Sequence, residues 1–246
     1  MRLFDAHCHI DMLNNIEIES IRSSDGIFIT NGTSINSNIV NLNIADYKHI
    51  FPAAGIDPQN AALDNPILED FLKVIDKLKD RIVAIGEIGI DLFIRNIANR
   101  SRQEYVFREF LKKAEELRKP VIIHSRSAID LVIDIISSYN LDKIVFHYFE
   151  GSVDNIKLMR FIENSESFVS VPPLDSKKRR EVILKLGIDK LLTESDAPAV
   201  APSPFEVSKS IRLIAETLNI KVDDASEAVY RNGFSVYKIE DYINTK

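Results

Sequence analysis

Arg2-Leu3-Phe4-Asp5-Ala6-His7-Cys8-His9 begins with a short apolar run and ends in two histidines one residue apart. The run predicts a β-strand from Leu3 to His7. Because alternate side chains of a strand share a face, we expect His7 and His9 to point one way and Cys8 the other. Two imidazoles aimed at one point suit a transition metal. Alone, such a pair is more often two partly exposed histidines, so the interpretation depends on the rest of the chain.

The length and composition of the chain limit its architecture. It has 246 residues, of which 45% are hydrophobic, so it can bury a large core as two small domains or as one α/β barrel, whose usual size is about 250 residues. No low-complexity run or linker rich in Gly, Pro or Ser divides it, and its single cysteine excludes a disulfide framework. We therefore expect one domain over residues 1–246.

Charge and hydropathy limit the partners and the location. The formal net charge of −6 argues against broad, non-specific attraction to nucleic acid or to an anionic membrane. No apolar stretch approaches the roughly 20 residues that cross a bilayer, and the N-terminus lacks the regions of a signal peptide. We expect a cytoplasmic protein with no membrane association and no obligate protein partner.

Short β-branched runs alternate with longer helical patterns along the chain. The predicted strands are Leu3 to His7, Gly26 to Thr30, Ile50 to Ile56, Ile82 to Glu87, Val121 to His124, Ile144 to His147, Ser167 to Val171 and Lys190 to Thr193. Helices are predicted around Ile16 to Arg22, from Ser101 to the residues before Pro120, and over Ala128 to Ser138, Val153 to Glu163, Lys177 to Leu186 and Pro204 to Leu218. Ser101 and Glu104 are expected to form a capping box.

This alternation predicts a parallel sheet. Eight strands in about 250 residues favour the closed (β/α)8 TIM barrel as a single α/β domain. An open doubly wound sheet is the alternative, but no Gly-rich phosphate loop follows the first strand.

Side chains that can bind a metal lie at the carboxyl ends of the predicted strands. They are His7, His9, Glu87, His124, His147 and Asp196. In a barrel these ends meet on the face where active sites are built. Singly, each histidine would more often be a hydrogen-bonded core residue, but together the six predict a metal site. His49 precedes the third strand, and we expect it to be an ordinary surface histidine.

Five motifs in order carry a resemblance to a known family. They are His7-Cys8-His9-Ile10-Asp11, Gly86-Glu87-Ile88-Gly89-Ile90-Asp91, Pro120-Val121-Ile122-Ile123-His124-Ser125-Arg126, Phe146-His147-Tyr148-Phe149-Glu150-Gly151 and Glu194-Ser195-Asp196-Ala197-Pro198. The chain resembles the TatD family of metal-dependent deoxyribonucleases, a branch of the amidohydrolase-like barrels. The resemblance implies that His7, His9 and Asp196 hold one divalent ion, that His124 and His147 hold a second, and that Glu87 bridges them.

Three segments depart from the family pattern. The segment after His9 is several residues shorter than is usual in the family. Gly55-Ile56-Asp57-Pro58 stands where the family usually has Gly-x-His-Pro, and Ala199-Val200-Ala201-Pro202 lacks the usual Tyr-Leu and Arg-Asn pairs. Metal chemistry is therefore better supported than the identity of the substrate.

The six side chains also favour hydrolysis on physical grounds. Four imidazoles and two carboxylates suit zinc, manganese, iron or cobalt rather than calcium. We expect two divalent ions, zinc, manganese or magnesium, and a pair of ions about 3.5 to 4 Å apart can activate water and stabilise a phosphoryl or carbonyl oxygen. We expect Asp196 to be both a ligand and the catalytic base, and Glu87 to act as the bridging carboxylate. No cysteine nucleophile competes, because Cys8 points away from the ligands.

Cations around the expected mouth of the barrel indicate an anionic substrate. Arg126 lies two residues past His124, and we expect it to bind substrate. Further cations are Arg95, Arg100, Arg102 and the cluster Lys177, Lys178, Arg179 and Arg180. That cluster fits a polyanion site and a solvated helix turn about equally well, since Asp175 and Glu181 lie beside it.

The leading hypothesis is a deoxyribonuclease that cleaves DNA phosphodiester bonds, with DNA as its substrate partner. The alternative is a metallohydrolase of the same barrel class that cleaves a small amide, lactone, ester or phosphate monoester. A non-catalytic binding module is a third hypothesis, against which the complete set of six ligands argues.

Overall fold

Eight parallel strands alternate with helices in the computed structural model, which describes residues 1–63, 68–93, 99–149 and 151–243. The strands are β1 Phe4–Cys8, β2 Ile27–Asn31, β3 Ile50–Ala54, β4 Ala84–Asp91, β5 Val121–Arg126, β6 Ile144–Phe146, β7 Ser167–Val171 and β8 Leu191–Thr193. The α-helices in these ranges are α1 Asn15–Arg22, α2 Ile35–Ile44, α3 Pro58–Ala61, α4 Leu68–Leu78, α5 Arg100–Leu117, α6 Ile129–Ile136, α7 Ile156–Asn164, α8 Lys177–Leu186, α9 Val207–Leu218, α10 Val222–Val236 and α11 Glu240–Ile243. Short 3-10 turns cover Ile10–Met12, Ile188–Lys190 and Pro204–Glu206.

The strands form one sheet in sequence order, with each strand parallel to the next. β1 and β8 meet at a seam that completes a nearly closed barrel. There the Thr193 hydroxyl donates to the carbonyl of Phe4 at 2.6 Å, and the amide of Asp196 donates to the carbonyl of His7 at 2.9 Å. The predicted (β/α)8 TIM barrel is confirmed.

Apolar side chains fill both the inside of the barrel and the layer between strands and helices. The inner cluster takes residues from all eight strands: Phe4, Ala6, Ile27, Ile29, Phe51, Ala53, Ala84, Ile122, Val145, Phe168 and Leu192. Tyr237 and Ile239 from the C-terminal region join it, and the Tyr237 hydroxyl donates to the carbonyl of Ala6 at 3.1 Å. This packing fills one end of the barrel, so polar groups collect at the other.

Two details differ from expectation. Asn99 caps α5 by accepting from the amide of Arg102, so the capping box expected from Ser101 is wrong. The reason is local, since the expected partner Glu104 instead accepts from the side chain of Arg100 at 2.7 Å. His49 is buried rather than on the surface. Its Nδ1 lies 3.0 Å from Oδ2 of Asp46, which gives the buried ring a polar partner.

Arg95, one of the expected rim cations, and Glu150 of the fourth motif lie outside the described residues. Within the described ranges, none of the helices combines the length and the apolar character that crossing a bilayer requires.

Candidate metal centre

The six side chains singled out from the sequence meet at one end of the barrel. His7, Glu87 and His124 lie within β1, β4 and β5, whereas His9, His147 and Asp196 follow the last residues of β1, β6 and β8. Five of them are buried and His124 is partly buried. They form two groups that share Glu87: group A contains His7, His9 and Glu87 with Asp196 beside them, and group B contains Glu87, His124 and His147.

Group A joins the two histidines of the first motif to the carboxylates of distant strands. Nε2 of His7 lies 3.3 Å from Nε2 of His9 and 3.5 Å from Oε2 of Glu87. Oδ1 of Asp196 lies 3.3 Å from Nε2 of His9 and 3.6 Å from Nε2 of His7. Four potential ligand atoms therefore surround one small volume.

Group B uses the other oxygen of the same glutamate. Oε1 of Glu87 lies 2.8 Å from Nδ1 of His124 and 3.0 Å from Nε2 of His147, and these two nitrogens are 3.1 Å apart. Glu87 thus directs one carboxylate oxygen to each group, which is the arrangement that a bridging ligand needs.

Irregular backbone aims these side chains. Pairing between β1 and β2 shifts register between Asp5 and Cys8, and pairing between β4 and β5 shifts between Ile85 and Ile88. Such bulges re-aim side chains, and these two contain His7 and Glu87. A third constraint comes from Gly55, where a Cβ would stand 2.5 Å from the carbonyl oxygen of Glu87, so only glycine lets β3 approach this closely.

The turn after β8 places Asp196. Its backbone has a φ of 49°, a left-handed conformation that aspartate tolerates better than most residues. The Asp196 amide bonds to His7, and the amide of His9 donates to the carbonyl of Ala197 at 2.8 Å. These bonds across the seam hold the carboxylate of Asp196 against the histidines of β1.

Two outer partners select which imidazole nitrogen faces the centre. Nδ1 of His9 lies 3.0 Å from the carbonyl oxygen of Asn31, which can only accept, so Nε2 of His9 is left for the centre. Nε2 of His124 faces Oδ2 of Asp91 at 3.4 Å, which leaves Nδ1 of His124 toward Glu87. Neither Asn31 nor Asp91 has a role that the sequence predicts. Only the position of Asp91 at the end of a motif could have indicated it.

The charges of the centre are strongly coupled. Burial opposes the charge of His9, but the hydrogen bond to Asp196 and the charge of Glu87 prevail and raise its pKa to about 9. Burial likewise opposes the charge of His124, yet Asp91 and Glu87 raise its pKa to about 10. Burial and the neighbouring His147 lower the pKa of His7 to about 4. In the metal-free protein, protons on His9 and His124 therefore balance the carboxylates.

Divalent cations fit this donor set. Burial would raise the pKa of Glu87, but His147 and His124 hold it well below its usual value, so the carboxylate is ionised. Ionised carboxylates and neutral imidazoles are the protein ligands of zinc and manganese. Cations that replace the protons of His9 and His124 would satisfy the lone pairs of both groups.

Two buried carboxyls behind the centre have no place in either group. Asp5 accepts from the amide of Ser195 at 2.9 Å and from its hydroxyl at 2.5 Å, and burial raises the pKa of Asp5 to about 7. Glu194 accepts from the amide of Tyr148 at 2.5 Å, and burial raises its pKa well above the usual value. Both tie the seam strand β8 to its neighbours, a role that the sequence offers no local signal to predict.

The predicted rim cations differ in the contacts that they make. Lys178 lines a cavity of about 270 Å³ together with His147, and it has no carboxylate partner in the described part of the chain. Arg180 instead pairs with Asp175 at 2.7 Å and with Glu216 at 3.3 Å. Four other members have their own contacts: Lys177 with Glu181, Arg179 with the carbonyl of Leu174, Arg100 with Glu104, and Arg102 with the ring of Tyr105.

Arg126 is exposed at the end of β5, and its guanidinium lies over the ring of Phe93. A larger cavity, of about 710 Å³, lies elsewhere, between Arg2, Tyr230 and Lys238, and none of the six centre residues lines it. Size alone therefore does not locate the chemistry of this barrel.

Comparisons with known proteins agree with this geometry. Residues 4–238 match the family described as TatD related DNase. An uncharacterized metal-dependent hydrolase of Methanocaldococcus jannaschii is 30% identical over 251 residues, which cover 97% of this chain and 98% of that protein. The human protein named deoxyribonuclease TATDN3 is 26% identical over 204 residues, which cover 76% of this chain and 72% of that protein.

A solved structure shows the same fold. The crystal structure of YjjV, a TatD homologue from Escherichia coli, matches with a TM-score of 0.86 at 24% identity, covering 96% of this chain and 98% of that one. The chain therefore belongs to the TatD-related family of metal-dependent hydrolases.

Proposed function

We propose that this hydrolase cleaves phosphodiester bonds of DNA with two divalent cations held by the six residues of the centre. His7, His9 and Asp196 would hold one cation, His124 and His147 the other, and Glu87 would bridge them. The observation that carries the proposal is the division of the Glu87 carboxylate, with Oε2 3.5 Å from His7 and Oε1 2.8 Å from His124.

A pair of divalent cations supplies Lewis-acid activation of water and of a phosphoryl oxygen. The residues of this chain accept the proton and orient the ligands. Asp196 accepts the proton of the attacking water, because its carboxylate is ionised. Burial raises its pKa, but the hydrogen bond of His9 and the charges of His7 and His147 bring the pKa below its usual value. Asn31 and Asp91 hold His9 and His124 in the orientations that the centre needs.

DNA is the substrate that the surroundings of the centre favour. Arg126 ends the strand that holds His124, and Lys178 lines the cavity beside His147, so both carry positive charge near the centre although the whole chain has a net charge of −6. Local cations at a site of this kind attract the phosphates of a nucleic acid strand. The name deoxyribonuclease carried by the human relative supports the same substrate. The cytoplasmic location and the single domain expected from the sequence remain predictions.

A single panel of substrates tests the proposal. The purified protein is loaded with manganese, magnesium or zinc and given end-labelled oligonucleotides beside esters, lactones, amides and a phosphate monoester. We expect metal-dependent cleavage of the oligonucleotides. Efficient hydrolysis of a small substrate with no cleavage of DNA would replace the proposal with the alternative that the altered segment after Asp196 keeps open.

A further inference from the structure

Two aromatic side chains are exposed in the described part of the chain, Phe93 and Tyr105. Phe93 has 52% of its surface exposed and lies two residues past the end of β4. The guanidinium carbon of Arg126 lies 4.1 Å from the centre of the Phe93 ring. The two side chains thus form a stacked cation–π pair beside the mouth of the barrel, which we call the Phe93–Arg126 platform.

The backbone fixes this platform to the barrel. Asp91 and Arg126 are paired in the register of β4 and β5, and the amide of Leu92 donates to the carbonyl of Arg126 at 3.0 Å. The two side chains therefore leave neighbouring strand ends rather than the tips of long loops, so their relative position is set by the sheet.

A carboxylate connects the platform to the centre. Oδ1 of Asp91 accepts from the amide of Phe93 at 2.7 Å, while Oδ2 of Asp91 lies 3.4 Å from Nε2 of His124. One buried side chain thus links the backbone of Phe93 to a residue of group B. The platform is therefore connected to the centre through a single residue.

We propose that the Phe93–Arg126 platform stacks a nucleobase of the substrate strand next to the phosphate being cleaved. The proposal rests on the proposed function, and it names a specificity element of the same site. An exposed aromatic ring backed by a guanidinium offers the flat, polarizable surface on which bases of any sequence stack. A small ester or lactone has no group that would use it.

The chain contains a matched control. Tyr105 on α5 is also exposed, and the guanidinium carbon of Arg102 lies 5.2 Å from the centre of its ring. None of the contacts found for Tyr105 reaches the six residues of the centre. Substitution of Tyr105 therefore removes an exposed aromatic ring beside an arginine without touching the proposed base site.

The test measures stacking separately from cleavage. A short phosphorothioate oligonucleotide carrying 2-aminopurine, whose fluorescence falls when it stacks, is titrated with metal-loaded protein. The chain has no tryptophan to interfere. We expect quenching by the wild type and by Phe93→Tyr. In Phe93→Leu we expect Kd to rise roughly five- to a hundredfold, the range for loss of one stacked base. Tyr105→Leu should bind like the wild type, and metal content should be unchanged in all four proteins.

An abasic version of the oligonucleotide completes the experiment, and it should bind the wild type and Phe93→Leu equally. Absence of quenching in the wild type, or equal quenching by the wild type and Phe93→Leu, would overturn the platform. The proposed function fails separately: quenching that depends on Phe93 in a protein that cleaves no oligonucleotide would keep the platform and reject the deoxyribonuclease.

Discussion

Replacing Glu87 with glutamine tests the core of the site. The side chain has nearly the same shape, but one carboxylate oxygen becomes an NH₂ group, which cannot bind a metal. In the structure Oε2 faces His7 at 3.5 Å and Oε1 faces His124 at 2.8 Å, so an amide can serve only one of the two groups. The other group loses the oxygen of Glu87, which would leave group A with Asp196 as its carboxylate and group B with none.

The size of the effect follows from this geometry. Loss of an outer partner typically costs 10- to 100-fold in metal affinity, so loss of a direct ligand should cost more than about a hundredfold at one group. Elemental analysis of purified Glu87→Gln should find about one ion per chain or fewer, against about two in the wild type. Circular dichroism should show the same fold, because the volume of the buried side chain is kept.

Glu194→Gln is the matched control. Glu194 is also buried, and burial raises its pKa well above the usual value. Glutamine keeps an oxygen that accepts from the Tyr148 amide, and residue 194 lies 3.9 Å from Nδ1 of His147, the ring nitrogen that faces away from Glu87. We expect this variant to keep the metal content of the wild type. Full metal occupancy in a folded Glu87→Gln protein would show that the glutamate does not bridge.

Three further predictions concern the base, the protons and the rim. Asp196→Asn keeps an oxygen ligand but cannot accept a proton, so it should retain most metal and lose about 10²- to 10⁴-fold in kcat, and turnover near the wild-type rate at full metal content would exclude Asp196 as the base. Because the pKa values of His9 and His124 are about 9 and about 10 in the metal-free protein, both carry protons at pH 7 that a metal must displace. Metal affinity should therefore rise with pH, and calorimetry in buffers of different ionisation enthalpy should find about two protons released per chain at pH 7; no buffer dependence would contradict this. Neutralising Arg126 and Lys178 should raise KM for oligonucleotides and flatten its salt dependence without loss of metal, and equal losses on a short diester would argue against contact with the DNA backbone.

The strands could be predicted from the sequence because β-branched runs such as Val121-Ile122-Ile123 are buried in the barrel and bounded by polar segments. α2 could not, since Ile35–Ile44 contains four asparagines, which are poor helix formers. Long-range contacts stabilise it instead: Asn38 bonds to the backbone of Gly55, and Asn41 donates to Asp11.

Some features of the site could likewise be predicted from the sequence, and others could not. Convergence of the six side chains could be predicted, since it requires only that they lie at the carboxyl ends of barrel strands. The two bulges could not, because a bulge depends on the register of the partner strand. Asp5 and Ser195 are 190 positions apart in the sequence, so the residues near either one do not predict the hydrogen bond between them.

The seam between β1 and β8 also orders the assembly of the centre in time. Group B comes from residues 87 to 147, in β4 and just after β6, and its members become neighbours once the middle of the barrel has formed. Asp196 can join group A only when β1 meets the turn that follows β8. These two segments lie far apart in the sequence, so bringing them together has a high entropic cost. During synthesis on the ribosome, nearly the whole barrel must therefore be made before Asp196 can contact His7 and His9. We expect group B to be complete first, so that a cation bound there would be present while the seam closes.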